Sequence, residues 1–239
     1  MELFNAGNRI MNTYVYEGPA GWVMVDTGYE DSLTAVTDRL RRHGLTLADL
    51  RYVFLTHAHD DHAGFLRALL NICPHLVCIA SADARPILAA GRNPVIGGCT
   101  SSLAVRFCRL MGWMGNREHR FPSIDDSYRN RFLFVTPGQT AEAEALLGGR
   151  ILFTPGHTED SISLQLEDRI FCGDAAMNGF PSRNRTPIWV GDPAAYGASW
   201  DLLTASGAQT LYPAHGRPFP VSDLTRFRET LSSLQLRLP

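Results

Sequence analysis

The chain contains no lysine; all 22 of its basic residues are arginine. That absence excludes a Walker-type phosphate loop, Schiff-base chemistry and a lysine general base, and only arginine is left to grip an anionic substrate. No Cys-x-x-Cys pair occurs. The five cysteines, Cys73, Cys78, Cys99, Cys108 and Cys172, are odd in number, so at least one is unpaired within the chain. The opening residues Met-Glu-Leu-Phe-Asn-Ala-Gly-Asn-Arg carry no apolar signal core, and together these features predict reduced, buried thiols and a cytoplasmic location. No apolar run approaches the roughly 18 residues of a membrane span, so no membrane partner is expected. A net charge of −2 supplies no positive field to recruit nucleic acid.

What the chain does have is an ordinary globular balance, 45% hydrophobic and 19% charged over 239 residues, enough for one large α/β domain spanning 1–239. Its chemistry concentrates in Tyr52-Val-Phe-Leu-Thr-His-Ala-His-Asp-Asp-His-Ala-Gly64, an apolar strand running into imidazoles and carboxylates. His57 and His59 lie two apart, so on an extended strand end their rings project to one side. Asp61 and His62 follow at the start of an expected helix, His62 to Leu70, where the turn can bring both back toward the same pocket. Such a cluster, set between Val53–Leu55 and the apolar face Phe65, Leu66 and Leu69, is costly without a partner for its lone pairs. A divalent metal is that partner, zinc first, with iron or manganese as alternatives.

Around this stretch the spacing predicts strands at Thr13–Tyr16 and Trp22–Val25 joined by a Gly-Pro turn, then a helix from Asp31 to His43 closed by Gly44. A strand near Leu76–Ile79 and a helix Asp83–Ala90 come next. Further strands are expected at Ile151–Phe153, Ser161–Leu166 and Ile170–Cys172, with helices at Ala195–Ser206 and Ser222–Leu234. The segment 91–149, with an apolar helix from Ser101 to Met114, exceeds a compact core and is expected to be an inserted lid, substrate wall or homodimer contact.

The run Thr56-His-Ala-His-Asp-Asp-His62 resembles the H-x-H-x-D-H signature of the metallo-β-lactamase superfamily. Thr154-Pro-Gly-His-Thr158, Phe171-Cys-Gly-Asp-Ala175 and Tyr212-Pro-Ala-His-Gly216 are similar to its later stations, and Val25-Asp-Thr-Gly28 to its upstream aspartate motif. The resemblance implies a four-layer αββα sandwich and two metal sites: His57, His59 and His157 for one, Asp61, His62 and His215 for the other, with Asp174 bridging. It gives Asp26 a structural role beside the ligands. Seven donors are too many for one tetrahedral zinc and suit two metals that share a carboxylate and a water.

The expected activity is hydrolysis of a small-molecule ester, thioester or lactone by hydroxide shared between two divalent ions, with Asp61 orienting the nucleophile and shuttling a proton. The alternatives are an iron-dependent, persulfide dioxygenase-like oxidoreductase and a phosphodiesterase. Met177 stands where lactonases of the family carry tyrosine, and Asp174 where zinc-cysteine lactamases carry cysteine. The ligand set is closest to glyoxalase II-like thioester hydrolases. Arg183 and Arg185 are candidates for holding a substrate anion. Phe180, Trp189 and Trp200 are candidates for an apolar pocket, and Cys172 shares Asp174's strand face if the strand is regular.

Overall fold

The computed structural model describes residues 2–114 and 118–238, with the side chains of Trp113 and Met114 outside that description. Residues 115–117 of the expected insert, and the Trp113 ring on its helix, therefore lie outside the described residues. The chain forms two compact units, Met1–Asn93 with Arg120–Ile151, and Pro94–His119 with Leu152–Pro239.

In the first unit six strands make one sheet, in the order Leu3–Asn5, Tyr14–Gly18, Gly21–Val25, Leu50–Phe54, Val77–Ser81, Phe132–Val135. The first three pair antiparallel and the rest parallel. Parallel neighbours need crossovers, and the helices Leu33–Arg42, Leu66–Ile72 and Ala84–Ala90 lie in them. Val36 and Leu40, Leu66 and Leu69, and Ala84 and Leu88 pack with Met24, Val53 and Cys78 into one core. Val23, Val25, Phe54 and Ile79 alternate with those strand residues and are buried outside that cluster, so both sheet faces are covered. This is why the strands read as unbroken apolar runs. Each fully buried Val, Leu or Phe contributes about 1.5–3 kcal/mol.

The second unit has a five-stranded sheet in the order Phe219–Pro220, Thr210–Pro213, Arg169–Gly173, Ile162–Leu166, Arg150–Phe153. Helices Pro193–Ala205 and Ser222–Ser232 cover it with Trp200, Leu203, Leu224 and Leu231. Asp192 caps the first of these, accepting from the N–H groups of Ala194 and Ala195, with Pro193 in the opening turn. A two-stranded ribbon pairs Gly98–Cys99 with Trp189–Val190, and helix Ser102–Met114 follows it. Among the described residues no helix is long and apolar enough to cross a membrane.

Two differences from the sequence expectations bear on the site. The motif helix begins at Leu66 rather than His62, because the His62 carbonyl accepts from both the N–H and the Oγ1 of Thr27 at 2.7 and 2.8 Å and is lost to the helix ladder. The segment 91–149 is shared by both units. Its later part supplies the sheet-edge strand Phe132–Val135 and the helix Ala141–Leu147, neither of which the sequence pattern marked.

Gly64 closes the motif loop where a Cβ would come within 2.6 Å of three backbone atoms, the Asp60 and Gly28 oxygens and the Glu30 nitrogen. Backbone cannot swing aside as a side-chain tip can. Gly64→Ala is therefore expected to destabilise the fold by about 2–4 kcal/mol, at or above the usual range for overpacking, read as a lowered urea midpoint.

Candidate metal centre

The first unit presents its donors in the loop after strand Leu50–Phe54, which ends before the histidines are reached. What aims them is Asp26, at the end of the neighbouring parallel strand. Its buried carboxylate accepts from the Thr56 N–H (2.8 Å) and the Thr56 hydroxyl (2.8 Å) and lies 2.8 Å from His62 Nδ1. A carboxylate only accepts, so the proton sits on Nδ1 and the lone pair of His62 on Nε2. That second-nitrogen partnership is the usual means of fixing a metal-binding imidazole. The His57 ring centroid lies 3.8 Å from that of His62 and 4.6 Å from that of His59. Asp61 Oδ1 approaches His62 Nε2 at 3.7 Å. His57 and His62 are almost wholly buried.

Asn93 braces the same loop. Its side chain accepts from the Asp60 N–H at 2.8 Å and donates to the Asp60 carboxylate at 2.7 Å. An isolated asparagine before proline reads in sequence only as a turn, so nothing marked it.

The second unit holds the other three expected donors. In Thr154-Pro-Gly-His157 the glycine sits at φ +128°, and a Cβ there would meet the Tyr196 backbone at 2.3 Å. The loop can thus press directly on the helix Pro193–Ala205. His157 Nδ1 lies 2.8 Å from the Trp189 carbonyl oxygen, so it is the donor and Nε2 carries the lone pair. Asp174 follows Gly173, whose φ of +51° ends the strand's alternation. Cys172 consequently lies in the apolar core rather than beside the aspartate. The two Asp174 oxygens face different imidazoles, Oδ2 at 3.5 Å from His157 Nε2 and Oδ1 at 3.7 Å from His215 Nε2.

Several side chains outside this set have partners of their own. His43 stacks on Phe4 at 3.7 Å and His75 lies 3.0 Å from the Leu50 carbonyl oxygen. Arg185 is engaged by Asp223 at 2.6 Å, by Asn178 and by the Phe219 ring at 4.5 Å, which removes it as a free anion grip. Trp200 is a core residue whose indole donates to the Ala175 carbonyl, whereas Phe180 is 78% exposed. Burial pushes the Cys99 thiol up to about 12, helped by Cys108 3.6 Å away, consistent with a structural thiol.

His57, His59, Asp61, His62, His157, Asp174 and His215 all belong to groups of imidazole and carboxylate donors able to hold a metal ion. The donor chemistry fits one: imidazoles, two of them with Nδ1 held by an acceptor, and carboxylates turned toward them suit a divalent cation. Strand-end histidines and aspartates on a mixed α/β framework define a metal-binding protein of the metallo-β-lactamase fold. The chain belongs to the metallo-beta-lactamase superfamily, whose pattern it matches over residues 6–215.

Among its relatives, an atrochrysone carboxyl ACP thioesterase of Aspergillus terreus is 25% identical over 220 residues, covering 89% of this chain and 52% of that protein. A hydroxyacylglutathione hydrolase of Shewanella loihica is 26% identical over 196 residues, covering 82% of this chain and 56% of that protein. The chain thus spans little more than half the length of these curated relatives. The solved structure of the archaeal superfamily protein ST1585 from Sulfolobus tokodaii superposes with a TM-score of 0.64 at 20% identity, covering 99% of this chain and 89% of that one.

Proposed function

We propose that the protein is a dinuclear metal-dependent hydrolase acting on a small-molecule thioester or ester. In this reading His57, His59 and His157 hold one ion, Asp61, His62 and His215 the other, and Asp174 serves both. Zinc is the preferred metal for a set of imidazoles and carboxylates. The observation that carries the reading is the Asp174 carboxylate, whose two oxygens face two different imidazoles. Family membership supports it, and relatives named as a thioesterase and as a hydroxyacylglutathione hydrolase put acyl transfer to water first.

When bound, divalent ions supply a water of lowered pKa and polarise the scissile carbonyl. The protein's own part begins with Asp61, which accepts a hydrogen bond from the attacking water and passes its proton toward the leaving group. Asp26 and Thr56 keep the His62 proton on Nδ1, and the Trp189 carbonyl does the same for His157. Asn93 holds the motif loop so that these groups need not reorganise during turnover.

Metal analysis of the purified protein is expected to give two divalent ions per chain. Exhaustive chelation should lower hydrolysis of a thioester panel at least about 10³-fold, and zinc should restore it, as loss of the nucleophile's activation demands. One ion per chain, or turnover unaffected by chelation, overturns the proposal.

A further inference from the structure

Five of the large apolar side chains that are exposed, Val95, Ile96, Leu110, Met111 and Phe180, belong to the second unit, with Val95 at 86% and Phe180 at 78% exposure. Single exposed apolar residues are ordinary. These fall into two groups, one tied by hydrogen bonds to His157 and the other following a backbone segment that bonds to His215.

The first group stands beside His157. Its Nδ1 is held by the Trp189 carbonyl at 2.8 Å, and the Trp189 indole N–H donates to the Ile96 carbonyl at 2.6 Å. Val95 and Ile96 are therefore placed by the same residue that orients His157. The second group stands beside His215. The Asn178 N–H donates to the His215 carbonyl at 2.9 Å, and a Cβ on Gly179 would lie 3.3 Å from the His215 backbone. Phe180 is the next residue. Its ring meets that of Phe107 edge-on at 6.2 Å and 83°, a favoured aromatic geometry. Leu110 and Met111 continue the Phe107 face of helix Ser102–Met114 by one turn.

An arrangement that sets exposed hydrocarbon next to two expected metal donors, through hydrogen bonds at His157 and through adjoining backbone at His215, has a reason if the hydrocarbon surface receives the substrate. Of the two arginines that follow Phe180, Arg185 is already engaged by Asp223 and Phe219, and Arg183 is exposed. We propose that the acyl group of the substrate is an extended apolar chain rather than a short acyl such as acetyl, since each methylene buried against such a surface strengthens binding by up to about fourfold. This rests on the hydrolase reading above, and it makes Phe107 and Phe180 specificity-determining residues.

The test separates binding from turnover. Non-hydrolysable S-octyl and S-methyl thioethers of N-acetylcysteamine are titrated calorimetrically into the full chain. The octyl compound is expected to bind at least about tenfold more tightly, an advantage that falls below about threefold in the Phe107→Ala/Phe180→Ala variant. Ile10→Ser, which removes an exposed apolar residue of the first unit, leaves that advantage intact. Equal binding of the two thioethers, or an advantage indifferent to the double substitution, overturns the inference. In parallel, p-nitrophenyl acetate and octanoate are offered to the metal-loaded protein. Hydrolysis of neither overturns the hydrolase reading while the titration still decides the apolar site, and hydrolysis of both with equal kcat/KM overturns the inference alone.

Discussion

Asp61→Asn lowers kcat by about 10³-fold on any substrate the protein turns over, within the range a positioned acid–base group supplies. The side chain is half-buried, with Oδ1 3.7 Å from His62 Nε2. Asparagine keeps its shape and one acceptor oxygen, so the loop has no reason to collapse. What it loses is the capacity to take a proton from the attacking water and the negative charge that draws a cation to this side of the site. The two losses separate experimentally: kcat measured with zinc in excess reports the proton function, and metal stoichiometry at limiting zinc reports the charge. Melting temperatures of the metal-free forms should agree within about 2 °C, as a near-isosteric change at a partly exposed side chain implies. A variant with fully restored metal and more than a tenth of the wild-type kcat removes Asp61 from the chemistry.

The framework was legible in sequence wherever hydrophobic period and punctuation agreed. Leu33, Val36 and Leu40 at helical spacing, stopped by Gly44, gave a helix that the structure places at Leu33–Arg42. Phe132-Leu-Phe-Val was missed for a physical reason: four apolar residues cannot distinguish a strand from a helix turn, and their sheet-edge position leaves the first three only partly buried. Within the site, the histidines and aspartates announced themselves because buried polar clusters are expensive and therefore rare. The groups that aim them did not. Thr27 moved the helix start by four residues through one carbonyl, Gly173 turned Cys172 away from Asp174 by leaving the strand conformation, and Trp189 reaches His157 through a backbone oxygen that any residue would possess. Such contacts depend on where distant segments meet, and spacing along the chain carries no record of them. Arg185 makes the same point in reverse, since its position in a loop gave no sign of the Asp223 carboxylate that claims it.

Asp26 offers the second large effect, and two substitutions there report different things. Its carboxylate, 2% exposed, serves the Thr56 N–H, the Thr56 hydroxyl and the His62 Nδ1–H at once. Asp26→Ala strands all three donors in the interior and is expected to cost about 3–5 kcal/mol, the cost of removing one member of a buried hydrogen-bonded pair, seen as a shift of the urea midpoint without a change of slope. Asp26→Asn is the sharper instrument. The residue sits at φ +57°, a left-handed conformation that asparagine tolerates as well as aspartate does, so the backbone contributes no new strain. Its Oδ1 can still accept from Thr56, which presents the amide N–H₂ to His62 Nδ1. An N–H facing Nδ1 drives the imidazole proton to Nε2, where it occupies the lone pair that a metal would use. Stability should then fall by only about 1 kcal/mol, an ordinary hydrogen-bond exchange, while zinc affinity falls about 10- to 100-fold, the usual consequence of losing the partner that orients a ligating histidine. Competition with a chelator of known affinity reads the second quantity directly. Wild-type zinc affinity in Asp26→Asn would mean that His62 does not bind through Nε2, and the assignment of Asp61, His62 and His215 to one ion would fall with it.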